Sequence, residues 1–284
     1  MKKFCFVILH YKTSDDTIEC IESILRLNEK SEIVVVDNYS NNGSIEIVKK
    51  QYNNNNHIHF VLSSKNLGFA SGNNVGYKYA KKVLESDFIA VSNNDIVIQT
   101  RSLISDVETY YDKEPFYILG PDIESLVDHN HQNPMSSGNT NKRAVSKQIF
   151  NYRVLYILSK LHLYDIIKRH KKENRIVNKK NDLSDVIRNT QLHGSFLVFS
   201  PSYIKKEDYA FRPGTFLYLE ESILYRYCLK RGYSTVYWPL VKVYHKEDSS
   251  TNALFKADKE KREFVFRNMI KSLKVYKKLL SNDI

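Results

Sequence analysis

The segment of residues 60–98 constrains the fold of this chain more than any other part of the sequence. It reads FVLSSKNLGFASGNNVGYKYAKKVLESDFIAVSNNDIVI: a strand, a turn rich in Gly and Asn, a helix, and an apolar strand that stops at Asn93-Asn94-Asp95. Open α/β sheets bind ligands beyond the carboxyl ends of their strands, where Asp95 falls. A helix that begins at a glycine-containing turn offers free N–H groups to an anion. The segment predicts a phosphate-bearing ligand near a metal ion; an ordinary βαβ unit with an Asn-rich turn is the alternative.

The sequence before this segment also alternates strands with helices. Apolar runs predict strands at residues 4–9, 33–36 and 57–62, with helices between them. The first helix should begin near Thr13 or Ser14 and turn Ile18, Ile21 and Leu25 toward the core, because these residues follow helical spacing. Strands alternating with helices predict a parallel, doubly wound sheet whose polar strand ends line one edge.

The pattern is less regular after Asp95. The polar residues 125–148 predict a mobile loop, and residues 149–180 predict a basic amphipathic helix or helix pair. Further ordered segments are predicted as a strand at 117–121, an ordered stretch at 192–199, a helix at 220–230, strand structure at 235–245 and a basic helix at 257–280.

Composition and charge limit the classes of protein that fit. A chain of 284 residues with 42% hydrophobic residues is long enough for one large α/β domain. Its formal charge of +11 indicates an anionic partner, either nucleic acid, a nucleotide or an acidic membrane surface.

Cys5, Cys20 and Cys228 lie in apolar segments without metal-ligand spacing, which predicts buried thiols in a reducing compartment. The apolar run near Met1 is too short for a signal peptide. No window reaches the length of a membrane span. We therefore predict a cytoplasmic protein, peripheral at the inner face of the cell membrane.

Two strand ends carry candidate ligand-binding residues. Asp37 follows the apolar run 33–36 and is either a turn residue or an acceptor for the imide N–H of a pyrimidine base. Asn93 and Asp95 are two residues apart, so their side chains point the same way in an extended segment. Their oxygens suit Mg²⁺ or Mn²⁺ bound together with substrate phosphates. An Asx turn is the alternative interpretation of this pair.

Candidate catalytic and metal-binding residues also occur late in the chain. Glu220 and Glu221 follow an aromatic run at the start of a predicted helix. Either they favour the helix dipole, or one of them is a general base whose pKa is raised by apolar neighbours. His245 ends the predicted strand and is either structural or a metal ligand.

Several of these segments resemble glycosyltransferases of family 2 with the GT-A fold, especially the bacterial branch that contains rhamnosyltransferases. The similar segments, in the family's order across residues 4–250, are VVDN-Y-S at 35–40, NLGFA-S-GNN at 66–74, SNND at 92–95, FLYLEE at 216–221 and VYH at 243–245. The resemblance implies that Asp37 contacts the base, that Asp95 and His245 bind the metal, and that Glu221 is the catalytic base, with Glu220 as its alternative. The remaining nucleotide-sugar-binding residues are then His10, Tyr11, Asn38, Asn66, Gly68, Phe69, Asn73, Asn74, Asn93 and Asn94.

Two positions depart from the family's pattern. Asn93 replaces the first carboxylate of the metal-binding DxD segment, which lowers the negative charge there. Glu221 replaces the usual Asp of the acidic pair and adds one methylene of reach, which leaves the assignment of the base between Glu220 and Glu221 open.

The sequence therefore predicts an α/β protein with a GT-A-type, Rossmann-like, mixed and mostly parallel sheet flanked by helices. The predicted catalytic domain spans residues 1–255, with a nucleotide-sugar half at 1–100 and an acceptor half at 101–255, and a basic helical extension follows at 256–284. The resemblance implies an inverting enzyme that uses Mn²⁺ or Mg²⁺. It would transfer a sugar from dTDP-rhamnose or a UDP-hexose to a growing surface polysaccharide, with the glycan acceptor carried on polyprenyl diphosphate.

The basic segments leave two alternatives for the C-terminal region. Residues 256–280 contain nine Lys or Arg against three acidic residues, which suits an anionic bilayer surface. The same composition suits a solvated basic helix that packs on the catalytic domain.

Two other classes of protein are alternatives to the enzyme. A nucleic-acid-binding protein is compatible with the charge of +11, but the chain carries no DNA- or RNA-binding signature, and we expect no nucleic-acid partner. A Rossmann dehydrogenase requires G-x-G-x-x-G after the first strand, where this chain has HYKT at residues 10–13.

Overall fold

A computed structural model of the chain describes residues 2–138, 141–164, 184–247 and 258–281. These residues form one mixed β-sheet with helices packed on both of its faces. The strands are β1 (Phe4–His10), β2 (Glu32–Asp37), β3 (Ile58–Leu62), β4 (Phe88–Asn93), β5 (Ile96–Ile98), β6 (Ile118–Ser125), β7 (Ile187–Arg188), β8 (Phe196–Phe199) and β9 (Thr235–His245). The helices are α1 (Ser14–Leu25), α2 (Ser44–Gln51), α3 (Gly68–Lys82), α4 (Leu103–Lys113), α5 (Lys142–Lys160), α6 (Pro201–Lys206), α7 (Glu220–Arg231) and α8 (Asp258–Ser281).

The order of the strands divides the sheet into two parts. It runs β3-β2-β1-β4-β8-β6-β9-β5, and β7 pairs with β9. The first four strands are parallel and are joined by helical crossovers. The strand β8 is antiparallel to both β4 and β6, whereas β6 and β9 are parallel. The predicted mixed, mostly parallel α/β sheet flanked by helices is therefore confirmed.

The central strands are apolar along their whole length because both faces of the sheet are covered. In β1 the side chains of Phe4, Phe6 and Ile8 pack on one face, and those of Cys5 and Val7 pack on the other. This alternation follows from the two-residue period of a strand. All five side chains are at most 2% exposed, so β1 lies at the centre of a three-layer structure.

The prediction for the inner face of α1 was partly wrong. Ile21 is fully buried in the core, but Leu25 is 44% exposed. The helix instead packs Cys20, Ile21 and Ile24 against the sheet. Leu25 is the last residue of the helix, and the rotation that buries Ile24 turns Leu25 toward solvent, since adjacent helical residues point about 100° apart.

The segment predicted as a loop at 125–148 is helical in its last part, because α5 begins at Lys142. The side chain of Asn141 caps this helix by accepting a hydrogen bond from the backbone N–H of Arg143. The helix predicted at 149–180 is confirmed as far as Lys160, and the part of that prediction at 165–180 lies outside the described residues.

The C-terminal helix α8 packs on the rest of the protein. It contacts α5 and α7 through a separate apolar cluster. The buried members of this cluster are Val145, Ile149, Ile223, Leu273, Tyr276 and Leu280. Within the described ranges, no helix is both long enough and apolar enough to cross a membrane.

Candidate active site

The carboxyl ends of the central strands border one cavity of about 360 Å³. His10 at the end of β1 pairs in register with Asp37 at the end of β2, and Leu9 pairs with Asn93 of β4, so these strands end at the same edge. The cavity is lined by eleven of the residues predicted from the sequence: Tyr11, Asn38, Asn66, Gly68, Phe69, Asn93, Asn94, Asp95, Glu220, Glu221 and His245.

A network of hydrogen bonds fixes the turn before α3. The Asn38 side chain accepts from the backbone N–H of Leu67 (2.8 Å) and donates to Asn66 Oδ1 (3.2 Å). Asn66 Oδ1 also accepts from the backbone N–H of Gly68 (2.9 Å). Because the side chains and backbone of this turn satisfy one another, the turn presents a preformed wall to the cavity.

Gly68 is required where this turn meets the segment before α7. Its φ is +78°, and a Cβ there would lie 2.2 Å from the backbone oxygen of Phe216. The backbone N–H of Phe69 donates to that same oxygen at 2.7 Å. Only glycine permits both the left-handed conformation and this close approach. The contact holds the loop that leads to Glu220 against the turn before α3.

Asp95 and His245 lie side by side, with His245 Nε2 3.3 Å from Asp95 Oδ1. The topology explains this proximity, because Asp95 immediately precedes β5 and His245 ends β9, and Ile96 pairs with His245 in the antiparallel β5–β9 ladder. The backbone N–H of Lys246 also donates to the Asp95 carbonyl at 3.0 Å. Both side chains are less than a tenth exposed, so the pair is fixed by the sheet.

Two further residues orient the His245 ring. His245 Nδ1 is 2.8 Å from Gln132 Oε1, and the Gln132 Nε2 amide donates to Glu247 Oε1 at 2.6 Å. Because the Gln132 amide donates to a carboxylate, its oxygen is left to accept from Nδ1–H. In this tautomer Nε2 carries the free lone pair and points toward Asp95, as a metal-binding imidazole requires. No group of three or more His, Cys, Asp or Glu side chains with metal-binding geometry occurs among the described residues.

The acidic pair follows two residues in a strained conformation. Tyr218 and Leu219 have φ values of 77° and 68°, in the left-handed region. Each costs about 1–2 kcal/mol for an L-residue. Such strain is retained where the surrounding structure imposes it, often at functional sites. Here it starts α7 so that Glu220 and Glu221 both line the cavity.

The two carboxyl groups have raised pKa values. Burial, followed by the charge of Glu221, raises the pKa of Glu220 to about 7 from an ordinary value of 4.5. Among the described residues, Glu220 Oε1 has no hydrogen-bond partner. Burial also raises the pKa of Glu221, against the opposing effect of hydrogen bonds from its own backbone N–H and that of Gly194. Both groups therefore bind a proton more readily than a solvated glutamate.

Two predicted nucleotide-binding residues at strand ends are engaged in internal hydrogen bonds. The buried His10 ring lies between Thr17 Oγ1 (2.6 Å) and Ser44 Oγ (2.8 Å). Burial lowers the pKa of His10, which favours the neutral ring. The buried Asp37 carboxylate accepts from the backbone N–H and the hydroxyl of Ser40. Asp37 thus closes a turn beside the cavity, and its contact with a base stays a prediction.

Asn73 and Asn74 are also buried behind the cavity lining. The Asn73 amide donates to the Phe69 carbonyl at 3.1 Å. Asn74 donates to the Phe211 carbonyl at 2.8 Å and accepts from its backbone N–H at 3.0 Å. In these contacts both residues support the helix and the loop that form the cavity wall.

Asn94 joins the cavity edge to the start of α1. Its amide donates to Thr13 Oγ1 at 2.7 Å and to Thr17 Oγ1 at 3.1 Å. The backbone N–H of Asn93 donates to the Ser195 carbonyl at 2.8 Å. These bonds fix the turn that presents Asp95.

The structure adds cavity residues that the sequence did not single out. His193 precedes β8, and because β8 is antiparallel to β4 it lies beside the end of β4; its Nδ1 is 2.8 Å from Ser195 Oγ. Phe264 comes from α8, and its ring lies 6.1 Å from that of Phe216. No local sequence signal marks either residue, because both reach the cavity through strand order and helix packing. The other added residues are Leu9 and also Phe216, Leu217 and Tyr218, which lie in the FLYLEE segment but are not among the predicted site residues.

Solved structures share this fold at low sequence identity. TarS 1–349 of S. aureus aligns with a TM-score of 0.53 and 15% identity over 95% of this chain and 72% of that chain. Its complex with UDP aligns over 94% and 71%, with the same TM-score. GalNAc-T7 with UDP, GalNAc and Mn²⁺ aligns with a TM-score of 0.60 and 10% identity over 88% of this chain and 45% of that chain. The predicted GT-A fold is confirmed.

Sequence comparison identifies the family. The low-salt glycan biosynthesis hexosyltransferase Agl10 of Haloferax volcanii is 32% identical over 117 residues, which are 41% of this chain and 35% of that protein. The match thus spans about a third of that relative's length. The family model described as glycosyl transferase family 2 matches residues 5–167, more than half of the chain. The chain belongs to glycosyl transferase family 2.

Proposed function

We propose that this protein transfers a hexose from a nucleoside-diphosphate sugar to a glycan acceptor, with inversion at the anomeric carbon. The observation that carries the proposal is that one cavity is bordered by the Asn38–Asn66–Gly68 turn, by the Asp95–His245 pair and by Glu220 and Glu221. A nucleotide site, a candidate cation site and a carboxylate base are the three parts that such a transfer requires.

In the proposed reaction Glu221 removes the proton from the acceptor hydroxyl. The acceptor oxygen forms a bond to the anomeric carbon, and the bond between that carbon and the diphosphate oxygen breaks. The nucleoside diphosphate leaves with the electron pair, and attack from the opposite face inverts the configuration. The raised pKa of Glu221 makes its carboxylate a stronger base than that of a solvated glutamate. Glu220 lines the same cavity and is the alternative base.

The Asp95–His245 pair fits a divalent cation. His245 Nε2 and Asp95 Oδ1 are 3.3 Å apart, so both atoms could contact one ion. The carboxylate of Asp95 suits Mn²⁺ or Mg²⁺ bound together with substrate phosphates. The imidazole of His245 favours Mn²⁺ of these two ions, because Mg²⁺ prefers oxygen ligands. When bound, such an ion would stabilise negative charge on the leaving diphosphate. The oriented Nε2 lone pair of His245 supports this assignment.

The donor is proposed to be dTDP-rhamnose or a UDP-hexose. The UDP in two of the structures with this fold and the hexosyltransferase name of the relative support this class of donor. The acceptor is proposed to be a growing surface polysaccharide on polyprenyl diphosphate, at the inner face of the cell membrane. The glycan biosynthesis named for the relative supports a glycan acceptor.

A ligand screen followed by a turnover assay tests the proposal. The full chain would be heated with UDP, dTDP, GDP or inorganic phosphate, each with and without Mn²⁺. We expect one nucleoside diphosphate to raise the melting temperature well above the effect of phosphate, since ligand at 100 times its Kd adds about 2.7 kcal/mol. The matching sugar nucleotide should then be hydrolysed slowly in the absence of acceptor. If no nucleoside diphosphate raises the melting temperature and no sugar nucleotide is consumed, the proposed function is wrong.

A further inference from the structure

Helix α5 carries an apolar stripe on its outer surface. Its inner side chains Val145 and Ile149 are buried against α7 and α8. The outer stripe consists of Phe150, Val154 and Ile157 of the helix and Leu161, which directly follows it; they are 65%, 37%, 55% and 60% exposed. The stripe residues are spaced by four, three and four positions, so they lie within an arc of about 60° at 100° per residue. Among the described residues, nothing buries this stripe.

Positive charge borders the stripe on both sides. Lys147 and Arg153 lie about 60° to either side of Phe150 around the helix, and both are exposed. Helix α5 carries five Lys or Arg and no Asp or Glu. The part of α8 from Arg267 to its end also carries five Lys or Arg and no acidic residue.

The two helices form a basic groove of about 470 Å³ beside the stripe. Its cationic residues are Arg153, Lys274, Lys277 and Lys278, and Phe150 forms part of its wall. The groove therefore places an exposed aromatic ring next to four cations. This combination suits a surface that is anionic at its polar layer and apolar beneath it.

We propose that this α5–α8 surface, defined by the outer stripe of α5 and the groove cations, docks on an anionic phospholipid bilayer. The stripe residues enter the boundary between headgroups and acyl chains, and the cations contact the lipid phosphates. A second copy of the chain is a poorer occupant, because a two-fold interface would bring this basic surface against itself.

The role of this docking surface in catalysis rests on the proposed function, because the surface and the cavity share helix α8. Helix α8 lines the cavity with Phe264 and the groove with Lys274, ten residues later. At 1.5 Å per residue these positions are about 15 Å apart along the helix. Docking through this surface thus holds the cavity near the bilayer, where a lipid-linked acceptor is exposed. Bilayer binding itself does not depend on catalysis, so the two proposals are tested separately.

Vesicle co-sedimentation of the full chain tests the docking surface. The probes are vesicles of phosphatidylcholine alone and vesicles that also contain phosphatidylglycerol. We expect binding only to the phosphatidylglycerol vesicles, weakened by added salt. The double variant Lys274→Gln/Lys278→Gln should bind about 10- to 30-fold more weakly, since each basic residue near the surface contributes roughly a fivefold change in affinity.

Variants of the stripe separate the apolar contribution from the charge. Phe150→Ser/Ile157→Ser should also lose at least tenfold in binding to these vesicles. Leu240→Ser is a control that removes one exposed apolar side chain elsewhere on the protein. Lys50→Gln/Lys113→Gln is the matched control for the groove variant, because it makes the same change in net charge at exposed positions.

Three results would overturn the proposal. One is equal vesicle binding by the stripe or groove variants and the wild type. Another is equal loss of binding in the controls. The third is sedimentation of wild-type protein as a dimer that the stripe variant dissociates, which would assign the surface to a second copy. Hydrolysis of the free sugar nucleotide in solution should be the same in all variants, and it reports on the proposed function independently of docking.

Discussion

Replacing Glu220 by Gln tests the electrostatics of the acidic pair. Glu220 is 4% exposed, and burial together with the charge of Glu221 raises its pKa to about 7. In the unfolded chain the same carboxyl is solvated and titrates near its ordinary value of 4.5. The folded protein therefore holds this proton at pH values where the unfolded chain has released it.

This difference in pKa between the folded and unfolded chains sets how the free energy of unfolding changes with pH. The stability associated with protonated Glu220 is fully present below about pH 4.5 and is lost as pH rises through about 7. Between 4.5 and about 7 the loss amounts to about 3 kcal/mol, at about 1.4 kcal/mol for each pH unit. Gln has the shape of the protonated acid and does not ionise. We therefore expect Glu220→Gln to match the wild type near pH 4.5 and to exceed its stability by about 3 kcal/mol at pH 8.

Denaturant unfolding of the two proteins between pH 4.5 and 8 measures this effect. The difference between their unfolding free energies removes contributions from groups that titrate alike in both proteins. For a chain of this length, about 3 kcal/mol corresponds to a rise in melting temperature of about 5 °C. Glu85→Gln is the control, because it makes the same chemical change at an exposed position.

A difference in unfolding free energy that stays constant with pH would refute this reasoning. It would mean that Glu220 titrates alike in the folded and unfolded chains. A variant that becomes less stable as pH rises would mean that the ionised carboxylate is stabilised in the folded protein, against the desolvation argument.

Four further substitutions test residues that lie in or beside the cavity. Glu221→Gln should lower sugar transfer by roughly 10²–10⁴-fold with donor binding unchanged, since a base acts only on the acceptor; transfer kinetics and donor affinity measure both effects. Asp95→Ala should abolish Mn²⁺-dependent turnover while the circular dichroism spectrum stays the same. Asp37→Ala should weaken nucleotide binding by roughly 1.5–3 kcal/mol, measured by calorimetry, because a hydrogen bond to a charged acceptor is lost. Phe264→Ala should raise the KM for the acceptor and leave hydrolysis of the free donor unchanged, because the ring lines the cavity wall.

Each of these expectations has a contrary outcome. Near-normal transfer by the Glu221 variant, combined with an inactive Glu220→Gln, would assign the base to Glu220. Wild-type turnover by the Asp95 variant would remove the metal assignment. Unchanged nucleotide affinity would restrict Asp37 to its turn with Ser40. Equal loss of donor hydrolysis and transfer in the Phe264 variant would mean that the ring supports the cavity as a whole.

Local sequence patterns are sufficient to predict the parallel part of the sheet. The apolar runs at 4–9 and 33–36 are continuous because helices cover both faces of the sheet, and the polar residues after them fall at one edge because parallel strands end together. Short segments and their order along the chain also singled out the Asn-rich turn, Asp95, the acidic pair and His245 as candidates. All of these line one cavity. These features depend on residues that are close in sequence, so a local pattern reveals them.

Features that depend on contacts between distant parts of the chain emerge only in the folded protein. The antiparallel β8 brings His193 to the cavity, and the packing of α8 brings Phe264 there, although no local pattern distinguishes these residues. In α5 both apolar faces follow helical spacing, and only contact with α7 and α8 buries Ile149 and leaves Phe150 exposed. The pKa of Glu220 is likewise raised by burial, which the neighbours of α7 impose. The buried face of a helix and the desolvated carboxyl group are both set by segments that are distant in sequence. Those segments come into contact only when the whole chain has folded.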